Sequence, residues 1–135
     1  MGDGDAFALD RTFIHLGLGV RAVPLPGFSF TPEYLERYNE LSESDGDEGR
    51  LVCIVPQDAT WDSWERHPGG EEVVFLFSGR VDLVQEIDGK EHVVELHAGE
   101  ATVNPPNVWH TARVHEPGRA LSITPGRGTE HKHLL

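Results

Sequence analysis

One cysteine, one methionine and only 11 Lys and Arg against 23 Asp and Glu stand among the 135 residues of this chain. Each shortage excludes something. With Cys53 alone there is no intrachain disulfide to expect, and nothing points to an oxidising compartment. The residue sits in Leu51-Val52-Cys53-Ile54-Val55, where a small buried strand residue is expected rather than a reactive thiol. A formal net charge of -12 argues against nucleic-acid and anionic-membrane partners, which are held through Lys and Arg clusters, and favours uptake of cations. Long apolar runs are missing too: Phe13 to Val23 is short and broken by glycines, and the N-terminus carries Asp3 and Asp5. Neither a signal peptide nor a spanning helix is expected, and a cytoplasmic protein is the default.

What is there fits one domain, long enough to bury a core without staples, so that a bound metal would be functional rather than structural. The expected division is an N-terminal extension over 1–48, a barrel over 49–124 and a tail over 125–135. In the extension, Thr12 to Leu16 reads as a strand, and Pro24, Pro26 and Gly27 mark a loop. Thr31-Pro32-Glu33 predicts an N-cap with proline in the first helical turn, and Tyr34, Leu35, Tyr38 and Leu41 supply the apolar stripe of a helix ending near Ser42. Glu43 to Glu48 reads as a solvated acidic connection. Gly17-Leu18-Gly19 is too short for a phosphate loop and is read as backbone freedom.

From Arg50 onward, short strands recur at 51–55, 62–67, 72–78, 81–87, 91–97, 101–104, 109–115 and 119–124. Asp88-Gly89 is suited to the positive φ angles of a tight hairpin. Eight such strands predict an all-β closed jelly roll. The glycine-bearing tail after Pro125 has no apolar period and is expected to be a surface arm, with His131 and His133 in a disordered segment.

Metal chemistry is written in two short stretches. Glu65 and His67 are two apart, so on a strand they share a face; Pro68-Gly69-Gly70 then turns the chain and Glu72 returns toward the same point. Some thirty residues on, Asn104-Pro105-Pro106-Asn107 forms a stiff turn that presents Trp109 and His110. Imidazole and carboxylate groups converging from different strands are what a mononuclear site requires. His110 alone would be an ordinary hydrogen-bonded histidine; the company of His67 and Glu72 makes it a ligand candidate. Glu65 has a plainer alternative as a rim carboxylate paired with Arg66 or Arg113. His92, His97 and His115 are read as solvent-facing, and Trp61 and Trp64 as packing residues.

These stretches resemble the two motifs of the cupin superfamily. The first reads glycine, five residues, His-x-His, three or four residues, Glu, six residues, Gly; Glu65-x-His67, four residues, Glu72, six residues, Gly79 is similar to its second half. Ala59 stands where the family has Gly, and Glu65 where it has the leading His. The second motif is matched by Gly99, Pro105 and His110, with Asn107 in place of a Gly and Val114 in place of the final Asn. The resemblance implies a cupin jelly roll, or double-stranded β-helix barrel, preceded by a short N-terminal helix. It also implies one divalent metal ion (Mn, Fe, Ni or Zn) on His67, Glu72 and His110, with Glu65 at the fourth position or, outside the coordination shell, as a general base. Such a carboxylate-rich set shifts preference toward harder ions. Metal binding is expected to weaken below about pH 6 as imidazoles protonate.

Three functions remain open at this point. The leading one is an enzyme of oxygenase, isomerase or lyase type, acting on a small oxyacid, enol or diketone-like molecule, with Trp109 as a wall of the substrate pocket. The others are a metal-dependent small-molecule binding or sensing module, and a metal-free barrel for a sugar-like ligand. In the strand after Glu72, Val74 and Leu76 share its inward face while Val73, Phe75 and Phe77 point outward. An outward face this apolar calls for a cover, expected to be a second copy in a homodimer or else the N-terminal segment.

Overall fold

A computed structural model describes residues 4–134. Eleven strands and one helix follow in the order β1 (Thr12–Gly17), β2 (Arg21–Pro26), α1 (Pro32–Ser42), β3 (Arg50–Gln57), β4 (Ser63–Arg66), β5 (Glu72–Leu76), β6 (Arg80–Ile87), β7 (Lys90–His97), β8 (Ala101–Asn104), β9 (His110–Glu116), β10 (Gly118–Thr124) and β11 (Glu130–His133). They form a six-stranded sheet, β2-β1-β3-β10-β5-β8, and a five-stranded sheet, β11-β4-β9-β6-β7, with antiparallel pairing throughout. This is the jelly roll that the strand pattern predicts.

The period-2 alternation of the strands sends Leu76, Val81, Leu83, Leu96, Ala112 and Ala120 into one buried cluster between the sheets. Burial of each large member stabilises the fold by about 1.5–3 kcal/mol. A second cluster, Phe13, Leu25, Leu51 and Cys53, joins the N-terminal extension to the barrel. The β6–β7 hairpin turns at Asp88 and Gly89 with φ of 53° and 74°, the conformation that Asp-Gly favours. Gly79 and Gly118 allow two chain segments to touch: a Cβ on Gly118 would lie 1.9 Å from the Ser78 carbonyl oxygen.

Thr31 caps α1, its hydroxyl accepting from the Tyr34 N–H at 3.4 Å, and Pro32 opens the helix. No residue of α1 is fully buried; Tyr34 and Tyr38 place their rings 4.7 and 5.7 Å from that of Phe28, and Tyr38 and Phe28 pack on the second cluster.

Three expectations need correction. The loop expected around Pro24 and Pro26 is strand β2, paired with β1 from Thr12↔Pro26 to Gly17↔Arg21. Prolines are tolerated there because β2 is an edge strand, with no neighbour on its far side among the described residues. The acidic connection is a short 3-10 turn over Glu43–Glu48 whose Asp45 is buried. It accepts hydrogen bonds from His15 Nε2 (2.7 Å), Arg21 and the Leu18 N–H (2.9 Å), and these hold its pKa down at about 2. His15, itself fully buried, meets the Tyr38 hydroxyl through Nδ1 at 2.8 Å. Finally, the tail is not a free arm: β11 pairs with β4, and His131 and His133 are strand residues. Four residue pairings with β4 offset the cost of ordering a glycine-bearing tail.

Candidate metal centre

Strand register brings the donors to one level. In the five-stranded sheet, His131 pairs with Glu65, Glu65 with His110, and His110 with Gln85, so their side chains share a row. His67 follows β4 directly, its carbonyl accepting from the Asn107 N–H at 3.0 Å. Across the barrel, Glu72 opens β5 opposite Asn104. One side-chain oxygen or nitrogen each from Glu65, His67 and His110 lies within 4.8 Å of the others.

Glu72 stands beside this trio. Its Oε2 is 3.2 Å from His67 Nε2, and its Oε1 is 3.5 Å from His110 Nε2. Glu65 Oε1 is 3.0 Å from His67 Nε2. Both Glu72 oxygens already accept a hydrogen bond, from Asn104 Nδ2 at 3.0 Å and from the Thr124 hydroxyl at 2.6 Å. Gln85 in turn donates to Asn104 Oδ1 at 2.8 Å. A carboxylate oxygen has two lone pairs, so each keeps one for a further partner.

The imidazoles are under-satisfied. His67 Nε2 and both nitrogens of His110 are buried with no hydrogen-bond partner. A buried polar atom without a partner costs about 1–3 kcal/mol, and two histidines left so at one point need a cause. A metal ion at their convergence supplies one, and the donor set of nitrogen and carboxylate oxygen fits a divalent first-row ion.

The electrostatics agree. Burial disfavours charge on His67, but Glu65 and Glu72 beside it outweigh that and raise its pKa to about 9. Burial likewise opposes the ionisation of Glu65 and Glu72, yet His67 holds both below the usual carboxylate range. Burial lowers the pKa of His110, leaving a neutral imidazole. Two ionised carboxylates thus surround one cation, the His67 proton, where a divalent ion would neutralise both.

A cavity of about 1150 Å³ adjoins this centre, walled by Leu76, Val81, Leu83 and Leu96 of the barrel and by Phe28 and Tyr38 of the extension. The expected substrate wall, Trp109, does not line it; the ring lies under the Arg66 guanidinium at 4.4 Å and the Lys132 ammonium at 4.6 Å. Adjacent strand residues point to opposite faces, so a Trp beside an inward His must face out. Trp61, read from sequence as a packing residue, is the indole that lines the cavity, with Nε1 donating to Gln57 at 3.0 Å. Glu65 does not pair with Arg66 or Arg113, which are taken by Glu130 and Glu91. His115 and His97 are exposed as expected, on Asp82 and Glu100. Burial pushes the Cys53 thiol up, in keeping with an inert strand cysteine.

The family model for the cupin domain matches residues 50–124, and the chain belongs to that family. A cupin-2 domain containing protein from Shewanella frigidimarina has a structure 22% identical in sequence, covering 56% of this chain and 70% of that one, with a TM-score of 0.49. A mutant of the oxalate decarboxylase of Bacillus subtilis is 19% identical with a TM-score of 0.51, over 63% of this chain but 24% of the enzyme, and shows the shared fold. Gastrotropin of Sus scrofa is 26% identical over 89 residues, 63% of this chain and 69% of that protein. No helix among the described residues is long and apolar enough to cross a membrane.

Proposed function

We propose that this cupin holds one divalent first-row ion (Mn, Fe, Ni or Zn) on Glu65, His67, Glu72 and His110, and acts on a small chelating molecule in the barrel. The observation that carries this reading is the three buried imidazole nitrogens without hydrogen-bond partners, His67 Nε2 and both of His110, beside two ionised carboxylates. When bound, such an ion supplies a Lewis acid for a carbonyl or enol oxygen. The chain does the rest: Asn104 and Thr124 hold Glu72 in place, and the apolar wall excludes water from the chelated end of the substrate.

Among the residues lining the cavity, the only guanidinium is Arg127 and there is no lysine. With a divalent ion neutralising the two carboxylates, the largely apolar wall favours a small oxyacid, enol or diketone-like substrate with an apolar body. The reaction would be of oxygenase, isomerase or lyase type. The protein is cytoplasmic in this reading, and its outer sheet face pairs two copies.

Metal content of protein purified without added metal is the first measurement, and about one ion per chain is expected. Glu65→Gln then separates two roles. Loss of metal marks Glu65 as a ligand, whereas retained metal with turnover down more than tenfold marks it as the general base. Wild-type protein without metal overturns the proposal. Micromolar metal-dependent binding of a diketone, with no turnover or oxygen uptake across a substrate panel, makes the protein a sensor.

A further inference from the structure

The metal-ligand stretches end at His110, yet two contacts to the centre come from the segment after Pro125. Thr129 Oγ1 lies 2.8 Å from His67 Nδ1, and His131 Nε2 lies 2.8 Å from Glu65 Oε2. We infer that the C-terminal strand is a working part of the metal centre: Thr129 decides which nitrogen of His67 faces the ion, and His131 sets the direction of the Glu65 carboxylate. The inference rests on the metal reading above and concerns two residues outside the four ligands.

The proton count at Thr129 carries the first half. A hydroxyl has one proton, and that of Thr129 goes to the Gly126 carbonyl at 2.8 Å. Its oxygen can then only accept from His67, so Nδ1 must carry a hydrogen and Nε2 is the nitrogen whose lone pair is free when the ring is neutral. Nε2 is also the atom aimed at Glu65 and Glu72 and without a hydrogen-bond partner. Thr129 is itself fixed by its N–H, which donates to Gly126 at 3.2 Å. Ring orientation, tautomer and metal-facing atom follow from one hydroxyl, as a partner of this kind does for ligating histidines generally.

Geometry at Glu65 carries the second half. Oε1 faces His67 while Oε2 is held by His131, so the carboxylate cannot swing out to solvent as a rim residue would. His131 sits opposite Glu65 in the β11–β4 register, and this contact follows directly from the pairing of the tail. The His131 side chain is 60% exposed, so its hold is weaker than that of Thr129.

Both residues are positioning residues, and Zn(II) is the probe. Zn(II) affinity is measured by chelator competition at one pH, alongside the slowly exchanging Nδ1–H signal of His67 in ¹⁵N-resolved NMR. Thr129→Val is expected to bind Zn(II) about 10- to 100-fold more weakly and to lose the protected Nδ1–H, with Thr129→Ser restoring both. His131→Ala, a change at an exposed side chain that leaves the strand pairing intact, is expected to weaken binding by about threefold to tenfold, and His131→Gln to recover it by donating to Glu65. Wild-type affinity in Thr129→Val and His131→Ala, with the Nδ1–H signal unchanged, overturns the inference. Equal weakening in Thr129→Val and Thr129→Ser overturns it too, because that pattern reports strand loss and not a lost hydroxyl. A wild-type chain that binds no Zn(II) while keeping the protected Nδ1–H overturns the metal centre itself.

Discussion

His67 has to choose between a proton and a metal ion. In the metal-free protein its pKa stands at about 9, so at neutral pH an ion must displace one proton, while Glu65 and Glu72 are already ionised and His110 is already neutral. Apparent metal affinity should therefore rise about tenfold per pH unit from pH 7 to about 9 and then level off. The sequence-based figure of about pH 6 treats His67 as an isolated imidazole and misses its two carboxylate neighbours. The stability of the metal-free fold should move the opposite way. A pKa raised in the folded state contributes stability below 6.5 that is lost as pH climbs through about 9, so Tm without metal should fall across that window. A flat affinity between pH 7 and 9 would show that His67 is not a ligand. Asp45 has the reverse sign: its pKa is depressed from 3.8 to about 2, so its contribution is present above pH 4 and lost as pH falls toward 2. Asp45→Asn should lower Tm at pH 7 and flatten the Tm profile between pH 4 and 2; an unchanged acid limb would deny Asp45 its anchoring role.

At the scale of elements, β10 and the turn beside β6 meet at a contact without spare room. A Cβ on Gly118 would strike backbone atoms of Ser78 and Gly79, and one on Gly79 would strike the Glu116 and Pro117 carbonyl oxygens. Because backbone and not a flexible side chain stands in the way, Gly118→Ala should displace β10 and lower Tm by 10 °C or more, on the order of 2–3 kcal/mol for a chain of this size. A Tm within about 2 °C of wild type would mean the strand shifts freely. The barrel strands were legible because alternation survives from Leu51 to Thr124, and α1 because Thr31 and Pro32 mark its start. β2 and β11 were not. The two prolines of β2 read as a loop, and β11, Glu130-His131-Lys132-His133, is exposed throughout and carries no apolar residue to alternate. Within the centre, the spacing of Glu65, His67, Glu72 and His110 brought them together on the page. Asn104, Thr124, Thr129 and His131 had no motif, since a hydrogen bond to a ligand can come from any strand that passes. Only the inside-outside alternation could have placed Trp109, which the argument from adjacency to His110 overrode.

At the scale of the whole molecule, the outward face of the six-stranded sheet is apolar across four strands. Val52 and Ile54 on β3 neighbour Ile123 and Leu121 on β10, which neighbour Val73 and Phe75 on β5, and Val73 neighbours Val103 on β8. The N-terminal strands extend this sheet at its edge, and Val103 and Phe77 remain 46% exposed. A second copy laid on the same face would bury it isologously. Wild-type protein should sediment as a dimer at micromolar concentration, and Phe75→Ser with Leu121→Ser should sediment as a monomer with an unchanged strand signal in circular dichroism. A wild-type monomer would leave this face without the partner proposed for it.

The place of β10 between β3 and β5 bears on how the chain comes to be folded at all. β3 is made early and β5 soon after, but they never touch as sheet neighbours; both wait for a strand that ends at Thr124. A ribosome must thus deliver nearly the whole barrel before the six-stranded sheet can close, and until then Val55, Leu76 and their inward-facing neighbours are open to other chains. Such distant pairing places refolding in the millisecond-to-second range of β-rich domains, and it makes the nascent chain, more than the finished protein, the form most in need of a chaperone.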